Sequence, residues 1–134
     1  MKLPFKVDLS DKVAVVTGGG GVLMSAFGEA LVKSGAKVAF LDINEEAVKK
    51  VVEGLGDNAM AVKCNCLDKA DIARAKAEVN ARFGKVNFLI NGAGGNNPKA
   101  TCDNETMTPD LTGVKDFFAL DESGLKFVFD LNIT

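Results

Sequence analysis

The 134-residue sequence has no histidine, no tryptophan and no tyrosine, only three cysteines and three prolines, and no large surplus of either charge. Each shortage excludes something. Without histidine the usual general base at neutral pH is missing, and three cysteines fall short of the four ligands of a structural zinc site, so no metal is expected. Cys64, Cys66 and Cys102 also argue against a disulfide-stapled secreted fold and read as small buried or half-buried thiols, Cys64 and Cys66 on one face of a strand. A net charge of −2, with lysine and arginine spread along the chain, leaves no basic stripe for nucleic acid or an anionic membrane. No apolar run approaches the roughly 18 residues that crossing a bilayer needs, and the interrupted MKLPFKVDLSDK does not read as a signal peptide. A cytoplasmic protein is expected.

What is present is 47% apolar and one domain's worth of chain, enough to bury a core. KVAVV (12–16) is a short buried strand, followed by TGGGG and by a helical pattern in which Leu23, Ala26, Phe27, Ala30 and Leu31 share one face up to a stop at Gly35. KVAFLD (37–42) is a second strand. The next helix is capped by Asn44, carries Val48, Val51, Val52 and Leu55, and ends at Gly54 and Gly56. AMAVKC (59–64) is a third strand, then a helix opens at Asp68 with a second carboxylate at Asp71, runs through Ile72, Ala75, Val79 and Phe83, and stops at Gly84. VNFLI (86–90) is a fourth strand. Strands separated by single helices are consecutive βαβ units, so the spacing predicts a doubly wound parallel sheet of Rossmann type with right-handed crossovers. Residues 91–118 lack period and read as a loop at the strand edge where such sheets bind ligands; a last helix begins near Asp121 with Leu125, Val128 and Phe129 on its apolar stripe.

Four glycines in a row, Gly18 to Gly21, cost about 0.5 to 1 kcal/mol each inside a regular element, so they belong where backbone bends or something approaches closely. Between a strand and a helix that something is an anion, because the first-turn N–H groups are unpaired and the macrodipole favours negative charge. Gly18 and Gly20 match the first two positions of G-x-G-x-x-G, but Leu23 stands at the third, so the common dinucleotide spacing is not met. Asp42 ends the second strand, where a carboxylate accepts from the adenosine ribose hydroxyls and repels a 2′-phosphate; this favours NAD over NADP, the other reading being a solvated aspartate. Asn132 falls on the apolar stripe of the last helix, so its amide needs a partner or a task, unless it caps the helix end.

TGGGGVLMS after a strand, Asp42 after the next, CNCLD after the third and NGAG after the fourth resemble the short-chain dehydrogenase/reductase family, whose motifs are Thr-Gly-x-x-x-Gly-x-Gly and Asn-Asn-Ala-Gly. The resemblance spans nearly the whole chain, and TGGGGVL, NGAGGNNPKATCDNE and FDLN are most similar to its D-mannonate oxidoreductase (fructuronate reductase) branch. Val22 and Met24 depart from two glycines of the pattern, Gly92 from its second asparagine, and Asn65 from an aspartate beside the adenine; a side chain at Met24 is expected to crowd the pyrophosphate. The resemblance implies NAD held by Thr17, Gly18, Gly20, Gly21, Val22, Leu23, Asp42, Ile43, Asn65, Cys66, Asn91, Gly92, Ala93 and Gly94, with Asn132 supporting a proton relay as the catalytic-site member. It implies hydride transfer with a sugar-acid substrate, a homo-oligomer, and a strand order that leaves VNFLI at an open edge. The family's catalytic tyrosine, lysine and serine would follow the last helix. With no tyrosine anywhere, residues 1–134 are expected to form the amino-terminal half of a longer single-domain enzyme and to be inactive alone. The alternatives are a non-catalytic nucleotide-binding or sensing module, and another Rossmann ligand such as S-adenosylmethionine. Asn96, Asn97 and Lys99 are the candidates to receive a polyol and its carboxylate.

Overall fold

The computed structural model describes residues 7–107, 109–110 and 112–133. The first half of the stretch read against a signal peptide, residues 1–6, therefore lies outside the described residues. Two compact units divide the chain, Met1–Ala93 and Gly94–Thr134.

The first unit runs β1 (Val13–Thr17), α1 (Val22–Lys33), β2 (Lys37–Asp42), α2 (Glu45–Val52), β3 (Ala59–Lys63), α3 (Lys69–Phe83) and β4 (Phe88–Ile90). The strands form one parallel sheet in the order β3-β2-β1-β4, with Val15 beside Ala39 and Leu89. This is the doubly wound Rossmann-type sheet that the alternation of patterns predicts. Apolar side chains alternate between two cores because helices cover both faces. Val13, Val15, Leu41, Met60 and Val62 meet Ala75 and Val79 of α3, whereas Ala14, Val16, Val38 and Phe40 meet α1 and α2. β1 is buried along its whole length.

Local chemistry sets the helix ends. The Asn44 side chain accepts from the Ala47 N–H, Asp68 accepts from those of Ala70 and Asp71, and Gly35 leaves α1 at φ 96°. The open side of β3 is covered by charge: Arg74 donates to the Lys63 carbonyl while pairing with Asp71 and Glu78.

Two boundaries differ from the sequence reading. β3 stops at Lys63, so Cys64 and Cys66 do not share a strand face; Cys64 is buried in the α3-side core and Cys66 is half-buried in the turn beyond. β4 is only three residues long because the Asn87 side chain, not a backbone carbonyl, takes the Val13 N–H. It lies at the sheet edge, with Leu89 60% exposed where its β1 neighbour Val15 is 8% exposed.

Burial, and then the adjacent Cys66, pushes the Cys64 thiol up to about 11 from its ordinary 9.0. The unfolded chain releases this proton at lower pH than the folded one, so stability is intact below about 9 and falls as pH rises toward about 11. Urea midpoints of wild type and Cys64→Ala across that window check it: a wild-type decline no steeper than the variant's would contradict the assignment.

The second unit holds 3-10 turns at Pro98–Ala100 and Phe117–Ala119 and the helix α4 (Glu122–Asn132), capped by Asp121. The stretch read as a structureless loop thus contains two short turns; Thr108 and Leu111 within it lie outside the described residues. Asp103 and Lys115 close its middle, the Lys115 N–H donating to the Asp103 carboxylate and the Asp103 N–H to the Lys115 carbonyl. The expected stripe of α4 is only partly covered, Leu125 being 40% and Phe129 56% exposed. Inside its unit α4 packs instead through Gly124, where an added Cβ would meet Lys99 Cβ at 2.6 Å.

Candidate functional site

Each glycine after β1 answers to a close neighbour. Gly18 has φ +65°, and a Cβ there would stand 2.5 Å from the Gly92 carbonyl oxygen. Cβ atoms at Gly19 and Gly20 would meet Phe40 Cβ at 2.9 Å and Ala47 Cβ at 2.8 Å, and one at Gly21 the Gly18 carbonyl oxygen at 3.2 Å. The turn is wired to the end of β2: Gly19 N–H donates to the Leu41 carbonyl at 2.9 Å and Gly20 N–H to Asp42 Oδ2 at 3.0 Å. Asp42 Oδ1 accepts from the Asn44 N–H, so the carboxylate is oriented by both ends of its surroundings. Gly21 caps α1 without a side chain, in contrast to Asn44, Asp68 and Asp121 on the other helices. The first-turn N–H groups of α1 are left to an external acceptor.

Thr17 ties this turn to the end of β4, its Oγ1 accepting from the N–H groups of Gly92 at 3.0 Å and Ala93 at 3.1 Å. At the end of β3 the Asn65 N–H donates to Asp71 Oδ2 at 2.7 Å, and Asn65 Oδ1 accepts from Leu67 N–H. The Asn65 N–H and then the Arg74 guanidinium hold the Asp71 carboxyl below its ordinary 3.8. Burial pushes the Cys66 thiol up. Val22, Leu23, Ile43 and Asn91 are exposed at the same strand ends. The fold thus brings Thr17, the glycines, Asp42, Asn65, Gly92 and Ala93 to one edge of the sheet. The arrangement offers backbone donors for an anion and a carboxylate acceptor for a diol, on a glycine cradle that any Cβ would fill; these residues fit a dinucleotide.

Met24 departs from expectation. Its thioether turns onto Gly92 and into the α1-side core, not outward over the glycine turn. Gly94 and Asn132 belong to the second unit. Asn132 is exposed, contrary to the buried amide that the stripe implies, yet both ends are engaged: Oδ1 accepts from Gly95 N–H at 3.1 Å, and Nδ2 donates to the carbonyls of Gly95 at 2.9 Å and Val128 at 2.7 Å. It clamps Gly95 rather than capping the helix end. Asn96 and Asn97 hold their own loop, donating to Thr101 and accepting from Lys99 N–H respectively. They line a hollow of about 450 Å³ with Lys115, and Lys99 is not in its wall.

Sequence reasoning missed Gly28, at which a Cβ would overlap the Phe40 ring. A glycine inside a helical pattern, costing about 1 kcal/mol against alanine, was the available signal. It also missed the second task of Asp71, and Lys115, for which nothing in the local pattern speaks.

A family model described as short chain dehydrogenase matches residues 12–134. An uncharacterised oxidoreductase of Haemophilus influenzae is 43% identical over 98% of this chain and 48% of its own length; the uncharacterised oxidoreductase UxuB of Bacillus subtilis shows the same figures. A crystal structure of a provisionally assigned D-mannonate oxidoreductase from Haemophilus influenzae with bound NAD superposes with a TM-score of 0.89 at 43% identity, over 95% of this chain and 47% of that one. A 3-ketoacyl-(acyl-carrier-protein) reductase from Brucella melitensis complexed with NADH gives 0.74 at 25% identity, over 94% of this chain and 46% of that one. The chain therefore spans about half the length of the relatives it matches.

Proposed function

Because the chain belongs to the short-chain dehydrogenase family, we propose that its glycine turn and Asp42 bind NAD in an oxidoreductase acting on a sugar acid of the D-mannonate or D-fructuronate type. NAD supplies hydride transfer between nicotinamide C4 and a carbonyl or secondary alcohol. The residues of this chain bind and orient it. The uncapped start of α1 takes the pyrophosphate, Asp42 the adenosine ribose, and Thr17 braces the Gly92–Ala93 wall. The observation that carries the reading is the Gly20 N–H bond to Asp42, which sets phosphate donors and ribose acceptor as one rigid piece. The sugar-acid substrate rests on the description of the NAD-bound relative, and assembly with further copies on the family alone. Among the described residues no helix is long and apolar enough to cross a membrane, and a cytoplasmic setting is part of the proposal.

The family resemblance puts the acid–base tyrosine and lysine after the last helix, so residues 1–134 alone are expected to bind nucleotide without turnover. A second reading is a non-catalytic nucleotide-binding or sensing module built on the same fold. Turnover by the complete protein with NAD and a hexuronate separates the two.

Asp42 gives the direct test. Asp42→Asn keeps an acceptor for the Gly20 N–H but loses the charge, so NAD affinity should fall about tenfold, one charge-assisted hydrogen bond's worth, while NADP rejection relaxes. Asp42→Ala should weaken both cofactors because the turn loses its anchor. Calorimetric titration checks this, and equal affinities of wild type for NAD and NADP would sink the assignment.

A further inference from the structure

The two departures from the family pattern at positions 24 and 92 meet in space. A Cβ built on Gly92 would lie under 3.0 Å from both Sδ and Cγ of Met24, and 2.9 Å from the Thr17 carbonyl oxygen. Gly92 is not among the glycines of positive φ, so space, not backbone conformation, demands glycine there. Met24 is half-buried against the core that includes Ala14, Val16 and Ile90, and its thioether fills the place a side chain at 92 would take. Directly beside it, the N–H groups of Gly92 and Ala93 converge on Thr17 Oγ1.

We infer that Met24 and Gly92 are a matched pair, and that Met24 is a positioning residue: its side chain presses the Gly92–Ala93 backbone onto Thr17 and so sets the wall of the nucleotide turn. The bulk that the family pattern places at 92 is supplied here from 24. An unbranched thioether suits the task, since it fills an irregular gap without a fixed branch. The inference rests on the nucleotide reading for its functional consequence, but the pairing itself does not.

Two measurements on the full chain test it. Removing the Met24 side chain should loosen the wall locally. In Met24→Ala, amide hydrogen exchange at Gly92 and Ala93 should speed up about tenfold more than in the core of β1 and β2, and Met24→Leu, similar in volume, should keep most of the protection. A core residue without this role would raise exchange evenly across the sheet, and that result overturns the proposal. The second measurement is a double-mutant cycle on nucleotide affinity. Gly92→Ala should weaken NAD about tenfold in wild type but about threefold or less in the Met24→Ala background, the residue of the cost coming from the Thr17 carbonyl. Equal losses in the two backgrounds overturn the coupling. If wild type binds no nucleotide, the functional reading falls, and the exchange pattern still decides the pair.

Discussion

Gly18→Ala is expected to reduce nucleotide affinity at least a hundredfold and to destabilise the fold by about 3 kcal/mol, from left-handed backbone strain and overlap combined. Two costs act at this residue. Alanine at φ +65° brings its Cβ against its own backbone, and the same Cβ would stand 2.5 Å from the Gly92 carbonyl oxygen and 2.9 Å from the Ala93 nitrogen. Those are main-chain atoms held on Thr17, so the neighbour cannot rotate away; the ends of β1 and β4 must separate. Separation breaks the wall of the turn, which is why affinity suffers together with stability. Gly54→Ala is the control. Gly54 has φ +83° with nothing within 4 Å of an added Cβ, so only backbone strain remains and about 1 kcal/mol should be lost with affinity unchanged. Urea unfolding and calorimetry on both variants check this; Gly18→Ala binding like wild type would remove the turn from the site.

Gly28→Ala sets two known effects against each other. Alanine gains about 1 kcal/mol of helix propensity over glycine, which by itself predicts a more stable protein. Overlap with Phe40 opposes it: the new Cβ would fall 3.0 Å from Cδ1 and closer still to Cε1 and Cζ. Phe40 is 0% exposed and shares its core with Val16 and Val38, so the ring has no solvent to swing into. Overpacking of this kind costs about 1 to 3 kcal/mol, and lifting α1 from β2 puts it at the upper end here, so after the propensity gain a net loss of about 2 kcal/mol is expected. Lifting α1 displaces its uncapped amino terminus too, so nucleotide affinity should fall in the same variant. Phe40→Leu added to Gly28→Ala should recover part of both. A Gly28→Ala protein more stable than wild type would show that propensity wins and that the close approach is not needed.

Much of this was legible along the chain because it depends on neighbours in sequence. Strand and helix order follow from the switch between continuous apolar runs and a helical period. The caps at Asn44, Asp68 and Asp121 follow from side chains that reach backbone two or three residues away. The glycine run marked the turn, and Asp42 its acidic partner. The tertiary structure decided what depends on residues distant in sequence. Only the sheet brings Gly18 to Gly92, Met24 to Gly92 and Gly28 to Phe40, and only packing turns Met24 inward, away from the phosphate turn. The same limit explains Asn132: the helical period places it on an apolar stripe, but its partner, Gly95, lies 37 residues back, and no local rule announces which backbone an amide will find. Local preferences are written into short stretches of chain, whereas which two stretches exclude one another's side chains is set only when both are fixed in space.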